Sequence, residues 1–165
     1  MKDVTEWIVA KENPASLVHA TRTAIAATGS YLIAQAFHLP EAHWASISTM
    51  IVMQSTLGAS LPISMQRLAG TAVGAALGAA VAFYFPGNVW AFGISVFVVG
   101  LICALFRVQR IAYRYAGITL AIVMLVARSK SVWVVAIHRF VEVSVGIAVG
   151  LLLTAIWSER QRDYS

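Results

Sequence analysis

Gln66-Arg67-Leu68-Ala69-Gly70-Thr71-Ala72-Val73-Gly74-Ala75-Ala76-Leu77-Gly78 is the stretch on which the fold turns. Glycine recurs at every fourth position from Gly70. On a helix, Gly70, Gly74 and Gly78 then share one face and admit a second helix backbone against backbone. Arg67 stands at the head of that same face. A charge leading a smooth glycine stripe suits a helix in a membrane bundle better than a soluble helix.

The composition agrees. Of 165 residues, 59% are hydrophobic and only 12% charged, with a mean hydropathy of +0.78. A soluble domain carries about twice that share of charge. The apolar residues also fall in runs long enough to cross a hydrocarbon core about 30 Å thick. An integral membrane protein is expected, with the lipid bilayer as its first partner. The net charge of +5 would direct a soluble protein towards nucleic acid. Here it fits the Lys and Arg excess that holds loops in the cytoplasm, and no nucleic-acid partner is expected. The lone cysteine, Cys103, sits in an apolar run and can form no internal disulfide. Lys2, Asp3, Glu6, Lys11 and Glu12 interrupt the start of the chain, so no cleavable signal is expected there.

Residues 1–14 place Val4, Trp7 and Ile8 at helical spacing among charges, which predicts a segment lying at the membrane surface. Six transmembrane helices follow within a unit covering 15–158, over about 15–37, 41–57, 64–85, 89–106, 111–127 and 132–157, and a tail occupies 159–165. Pro14 opens the first span and Pro40 the second, with Glu41 in the second span's opening turn, where the helix dipole favours a carboxylate. Residues 58–62 are expected to turn, as is Pro86-Gly87-Asn88. Trp7, Trp44, Trp90, Trp133 and Trp157 all fall near predicted ends, as an interfacial belt requires. With both termini cytoplasmic, most of the Lys and Arg lie inside, including Lys2, Lys11, Arg107, Arg110 and Arg114, while Arg128, Lys130 and Arg139 lie outside.

The two halves resemble one another. Ala45, Ile47, Ile51, Val52 and Met53 recur as Ala116, Ile118, Ile122, Val123 and Met124 at one constant offset. Arg67, Val73, Gly74, Ala76 and Gly78 recur as Arg139, Val145, Gly146, Ala148 and Gly150 at an offset one residue longer. A repeat of three spans, an odd number, must sit upside down relative to its copy. The predicted fold is thus an all-α membrane protein built as two inverted three-helix repeats, a plan shared by many secondary transporters. The second and fifth spans are the shortest matched pair and point to where a pathway would lie.

His43-Trp44-Ala45, Ile51-Val52-Met53-Gln54-Ser55, Leu57-Gly58-Ala59-Ser60 and Arg67-x-x-Gly70-Thr71-x-x-Gly74 resemble the fusaric acid resistance and aromatic acid exporter superfamily. The resemblance is specific over about 39–78 and weaker over 115–150. It implies a six-helix unit of the inner membrane that moves organic anions, often aromatic carboxylates, outward. Many relatives carry a proline where this chain has Ser55. Larger relatives add a cytoplasmic domain and often a second six-helix module. A single module of this size is therefore expected to work as a homo-oligomer, most simply a dimer.

Candidate substrate-binding residues are Arg67, Arg139, Glu142, Arg22, Ser48 and Gln54. Arg67 and Arg139 each head a glycine-striped helix, and the inverted repeat would set them near opposite membrane faces. Two readings stay open for them: a positive region that draws carboxylates, or structural charges that snorkel or bond to nearby carbonyls. Either must offset about 2.5–3.5 kcal/mol of insertion cost at a helix centre. Glu142 lies about 15 Å along its helix at about 1.5 Å per residue, close to the midplane. It would serve as a proton-coupling carboxylate or, as the preferred reading, pair with Arg139 or another arginine. Arg22 repeats the arginine-to-glycine spacing with Gly29, without a counterpart in the fourth span. Ser46, Ser48, Thr49, Gln54, Ser55 and Thr56 would line a pathway or, preferably, bond within the bundle. Arg107, Arg110 and Arg114 fit topology determinants, with anionic lipid or substrate capture as the minority view. His19, His38, His43 and His138 lack metal-ligand spacing, and no metal, cofactor or catalytic residue is expected. A transporter or channel-like exporter of small organic anions is the leading reading. A non-transporting membrane scaffold or subunit is the alternative, and enzyme activity is not expected.

Overall fold

The computed structural model describes residues 17–54, 56–105, 109–125 and 131–157. Six helices and no strand occur among them: α1 Leu17–Ala36, α2 His43–Val52, α3 Leu57–Tyr84, α4 Val89–Leu105, α5 Arg110–Leu125 and α6 Val132–Ile156. The expected surface segment 1–14, Ser55, Arg107, Arg128, Lys130 and the tail 159–165 lie outside the described residues.

Glycine sets how closely the helices pack. A Cβ added at Gly70 or Gly74 would overlap the carbonyl oxygens of Ala112 or Ala116, and one at Gly78 would come within 3.2 Å of the Leu120 Cα. Residue numbers rise together along this contact, so α3 and α5 run parallel. Gly146 meets the Ala45 carbonyl and Gly150 meets Thr49 in the same way, so α2 and α6 are parallel too. α3 and α6 run antiparallel. Ala75 and Ala79 pack near Val132, Val135 and Ala136, while Ile63 and Leu68 pack near Val143, Ile147 and Leu151.

The polarity of the bundle is the reverse of a soluble protein's. α3 buries Ser60, Ser64, Arg67 and Thr71 with Gly70, Gly74 and Gly78 and exposes Leu61, Met65, Val73 and Phe83. α4 buries Ser95, Val99 and Cys103 and exposes Ile94, Phe97, Leu101 and Leu105. Large apolar side chains outside and polar ones inside are what a lipid solvent requires.

Two expectations need correction. α3, with 28 residues, and α6, with 25, are the two helices long and apolar enough to cross a membrane among the described residues. α4 is apolar but has 17 residues, and α2 has only 10. At about 1.5 Å per residue, α2 reaches about 15 Å, half of a hydrocarbon core. It stops because Met53 turns extended (ψ 112°) ahead of polar Gln54 and Thr56, residues whose side chains suit caps and turns. The second correction concerns 58–62, which is helix rather than turn. Thr56 is extended and its hydroxyl accepts from the Ala59 N–H at 3.4 Å, capping α3 one turn before the glycine-proline signal. Pro62 falls in the second turn of α3, on its exposed side. There it removes one backbone bond, to the Gly58 carbonyl.

α1 ends where His38 takes a left-handed conformation (φ 53°). The His38 N–H donates to the Gln35 carbonyl at 2.8 Å and the Leu39 N–H to the Ala34 carbonyl at 3.0 Å. This is the Schellman pairing, and it delivers Glu41 and Trp44 to the side of α6.

Gly74→Val and Gly146→Val should each destabilise the protein by about 1–3 kcal/mol through overpacking. Gly29→Ala and Gly117→Ala, whose added Cβ has no atom within 4 Å, should stay within about 0.5 kcal/mol of the parent. Unfolding in mixed detergent, followed by circular dichroism, measures both.

Candidate functional site

Arg139 and Glu142, one turn apart on α6, are 2% and 0% exposed. Arg139 Nη1 lies 3.6 Å from Glu142 Oε2 and 3.8 Å from Glu41 Oε2. The Glu41 backbone N–H, in the turn that leads into α2, donates to Glu142 Oε1 at 3.0 Å. The positive end of the α2 dipole adds to the field that holds this carboxylate. Trp44 completes the group: its indole N–H donates to Glu41 Oε2 at 2.8 Å, and its ring centroid lies 3.6 Å from the Arg139 guanidinium. Arg139 Nε and Nη1 and Glu142 Oε2 make no hydrogen bond among the described residues. Coulombic attraction and the indole face hold Arg139.

Arg67 enters one turn further along α2. It is 6% exposed, and its Nη2 donates to Ser48 Oγ at 3.1 Å. Ser48 in turn donates to the Trp44 carbonyl at 2.7 Å. The guanidinium sits 4.8 Å from the Tyr115 ring centroid, and Nε has no partner. No carboxylate forms an ion pair with Arg67 among the described residues. The two arginines were expected near opposite membrane faces. Instead they meet α2 one turn apart, Arg139 at the Trp44 ring and Arg67 at Ser48.

These contacts pair off at the two sequence offsets noted above. Arg67 over Tyr115 corresponds to Arg139 over Trp44. Gly74 on Ala116 corresponds to Gly146 on Ala45, and Gly78 on Leu120 to Gly150 on Thr49. The match fails at one place. Gly70 beside Ala112 stands where the other half has Glu142 beside Glu41. One arginine therefore has two acids within reach, and the other has none among the described residues.

Arg22 and Gln54 belong elsewhere. Arg22 is 0% exposed; its Nη1 donates to the Trp157 carbonyl and its Nη2 to the Gln54 carbonyl, both at 2.5 Å, with His19 Nδ1 3.3 Å away. The parallel helices α2 and α6 end side by side, and Arg22 caps both negative ends at once. Gln54 contributes backbone here, its N–H donating to Ser60 Oγ at 3.2 Å. Two further hydroxyls join helices: Ser46 donates to the Ala27 carbonyl at 2.7 Å and Thr49 to the Gly146 carbonyl at 2.9 Å.

Of the residues singled out by sequence, Arg67, Arg139, Glu142 and Ser48 come together, and Arg22 with Gln54 forms a separate clamp. Glu41, Trp44 and Tyr115 were missed as members of the cluster. Their signal was available: Trp44 and Tyr115 align at one sequence offset, each just before an alanine that a glycine packs on. Among the described residues, no group of three His, Cys, Asp or Glu side chains could hold a metal.

An apolar exterior around buried guanidinium and carboxylate groups defines a helical membrane domain with a charged interior. The chain belongs to the fusaric acid resistance protein-like family, whose model matches residues 26–153. Inner membrane protein YeeA of Escherichia coli strain K12 is 28% identical over 153 residues, covering 87% of this chain and 42% of YeeA. The uncharacterized transporter YdhK of the same strain is 30% identical over 148 residues, covering 84% of this chain and 22% of YdhK. The chain thus spans less than half the length of these curated relatives. No solved structure matches it.

Glu142→Met leaves Arg139 with the half-exposed Glu41 alone and should destabilise the protein by about 3–5 kcal/mol. Arg139→Met with Glu142→Met should cost much less than the sum of the single changes, in the same unfolding measurement. Arg22→Ala should cost about 3 kcal/mol or more, from two charge-assisted bonds of about 1.5–3 kcal/mol each.

Proposed function

We propose that this chain forms an anion-conducting membrane domain that moves small organic anions, aromatic carboxylates foremost, outward across the inner membrane. One observation carries the reading. Arg67 is buried, unpaired by any acid among the described residues, and matched by an arginine that has two acids. A buried guanidinium without a counter-ion is costly, and a carboxylate arriving from solution removes that cost. Ser48 and Tyr115 flank the position where it would dock.

Several features support the wider reading. The matched contacts of the two halves support an inverted repeat of three spans each, and the Lys and Arg distribution supports cytoplasmic termini. The short α2, followed by the extended Met53, has the form of the discontinuous helices that line transport routes. YdhK is named a transporter and YeeA an inner membrane protein, which supports the same activity and place for this chain. The same reading includes assembly as a homo-oligomer, most simply a dimer, with the route shared between copies.

Reconstituted into liposomes, the protein should pass benzoate. Arg67→Gln should lower that flux by at least about tenfold, the worth of one charge-assisted hydrogen bond. A folded, reconstituted protein that passes no member of a panel of aromatic and aliphatic carboxylates would overturn the reading. Isolation of a stoichiometric partner with such a silent protein would favour a scaffold or subunit instead.

A further inference from the structure

We infer that Glu41 is a tethered anion that closes Arg139, and that carboxylates from solution reach Arg139 only when Glu41 swings away. This rests on the anion-transport reading and adds to it a residue that governs access.

The two acids beside Arg139 are held very differently. Glu142 has a side chain 0% exposed and accepts a backbone hydrogen bond, so it is fixed. The Glu41 side chain is 36% exposed, against 3% for Arg139, so it reaches inward from an accessible rim. Glu41 lies in the turn between α1 and α2 rather than in a helix. Its carboxylate is 3.8 Å from Arg139 Nη1, well beyond the 2.7–2.9 Å or so of a charge-assisted hydrogen bond. Among the described residues its one side-chain hydrogen bond is accepted from the Trp44 indole. Glu41 is thus the carboxylate free to leave.

The exchange balances charge throughout. With Glu41 in place, Arg139 is covered by the indole on one face and by carboxylates at its edge. When Glu41 moves to the rim, an incoming carboxylate takes over its position, so the buried guanidinium keeps a counter-ion in both states. Arg67 has no such device, because Ala112 occupies the matching position. The two buried arginines therefore differ in their neighbours: Arg139 has beside it a carboxylate that can swing away, and Arg67 has none among the described residues.

Arginine modification by phenylglyoxal, quantified residue by residue with peptide mass spectrometry on the full chain in detergent, tests this without requiring transport. Arg139 should react slowly in the parent protein. Glu41→Gln should raise its rate several-fold, benzoate should slow it again, and Arg67 and Arg22 should keep their parental rates. Trp44→Phe retains the ring and removes the N–H that holds Glu41, and should shift Arg139 in the same direction. A parental Arg139 rate in both variants would overturn the inference. So would a rise shared by all three arginines, which marks general loosening. In liposomes, Glu41→Gln should raise benzoate flux at low benzoate. Benzoate flux with an unchanged Arg139 rate sinks the gate alone. Benzoate-protected Arg139 in a chain that passes no carboxylate sinks the transport reading and leaves Glu41 closing an anion site.

Discussion

The structure depends on two backbone contacts, Gly74 on Ala116 and Gly146 on Ala45. In an apolar solvent, helices gain little from hiding hydrocarbon, so they associate by close approach and by polar bonds. Each glycine lets a parallel helix come near enough for both. The same contacts fix register. An arginine two turns before the glycine on the same face is carried to the aromatic residue beside the partner alanine, Tyr115 in one case and Trp44 in the other. Packing and charge placement are therefore one decision, and a slip of one turn would lose both.

Within that frame the interior is deliberately unequal. Related contacts surround both arginines, yet one half substitutes Glu142 and Glu41 for Gly70 and Ala112. The compensated arginine braces α6 against the start of α2. The uncompensated one leaves a positive charge in a buried setting, held by a serine and a tyrosine face. Serines and threonines elsewhere mostly spend their hydroxyls on a carbonyl of their own helix, as Ser64 and Ser95 do, and only Ser46 and Thr49 reach a neighbouring one among the described residues. Polarity in this bundle divides into hydroxyls satisfied largely within their own helices and the charged cluster at α2.

Much of this was legible in the sequence, for reasons that also mark the limit. Residues three and four apart on one helix face each other, so the glycine stripes and the Arg139–Glu142 pair could be read directly. The repeat then made Arg67 and Arg139 equivalents. Contacts between helices carry no such periodicity. Nothing along the chain ties Arg22 to Gln54 and Trp157, because the clamp exists only where two helix ends lie side by side. Glu41 and Trp44 were read by their local roles, a dipole partner and an interfacial ring, and both roles hide a shared contact with α6. The turn expected at 58–62 failed because Thr56 caps the helix earlier and Pro62 falls where one lost bond is tolerable. The apparent length of the second span failed because hydropathy does not register where a backbone unwinds.

The Arg22 clamp also bears on how the chain is made. Its guanidinium belongs to α1, the first described helix to leave the ribosome, while one of its two carbonyl partners, Trp157, follows α6, the last. Until α6 arrives, only the bond to the Gln54 carbonyl after α2 can form, and the other half of the guanidinium has no carbonyl to meet. The clamp on the first helix is thus completed only by the last, and a chain cut short before α6 leaves Arg22 half bonded.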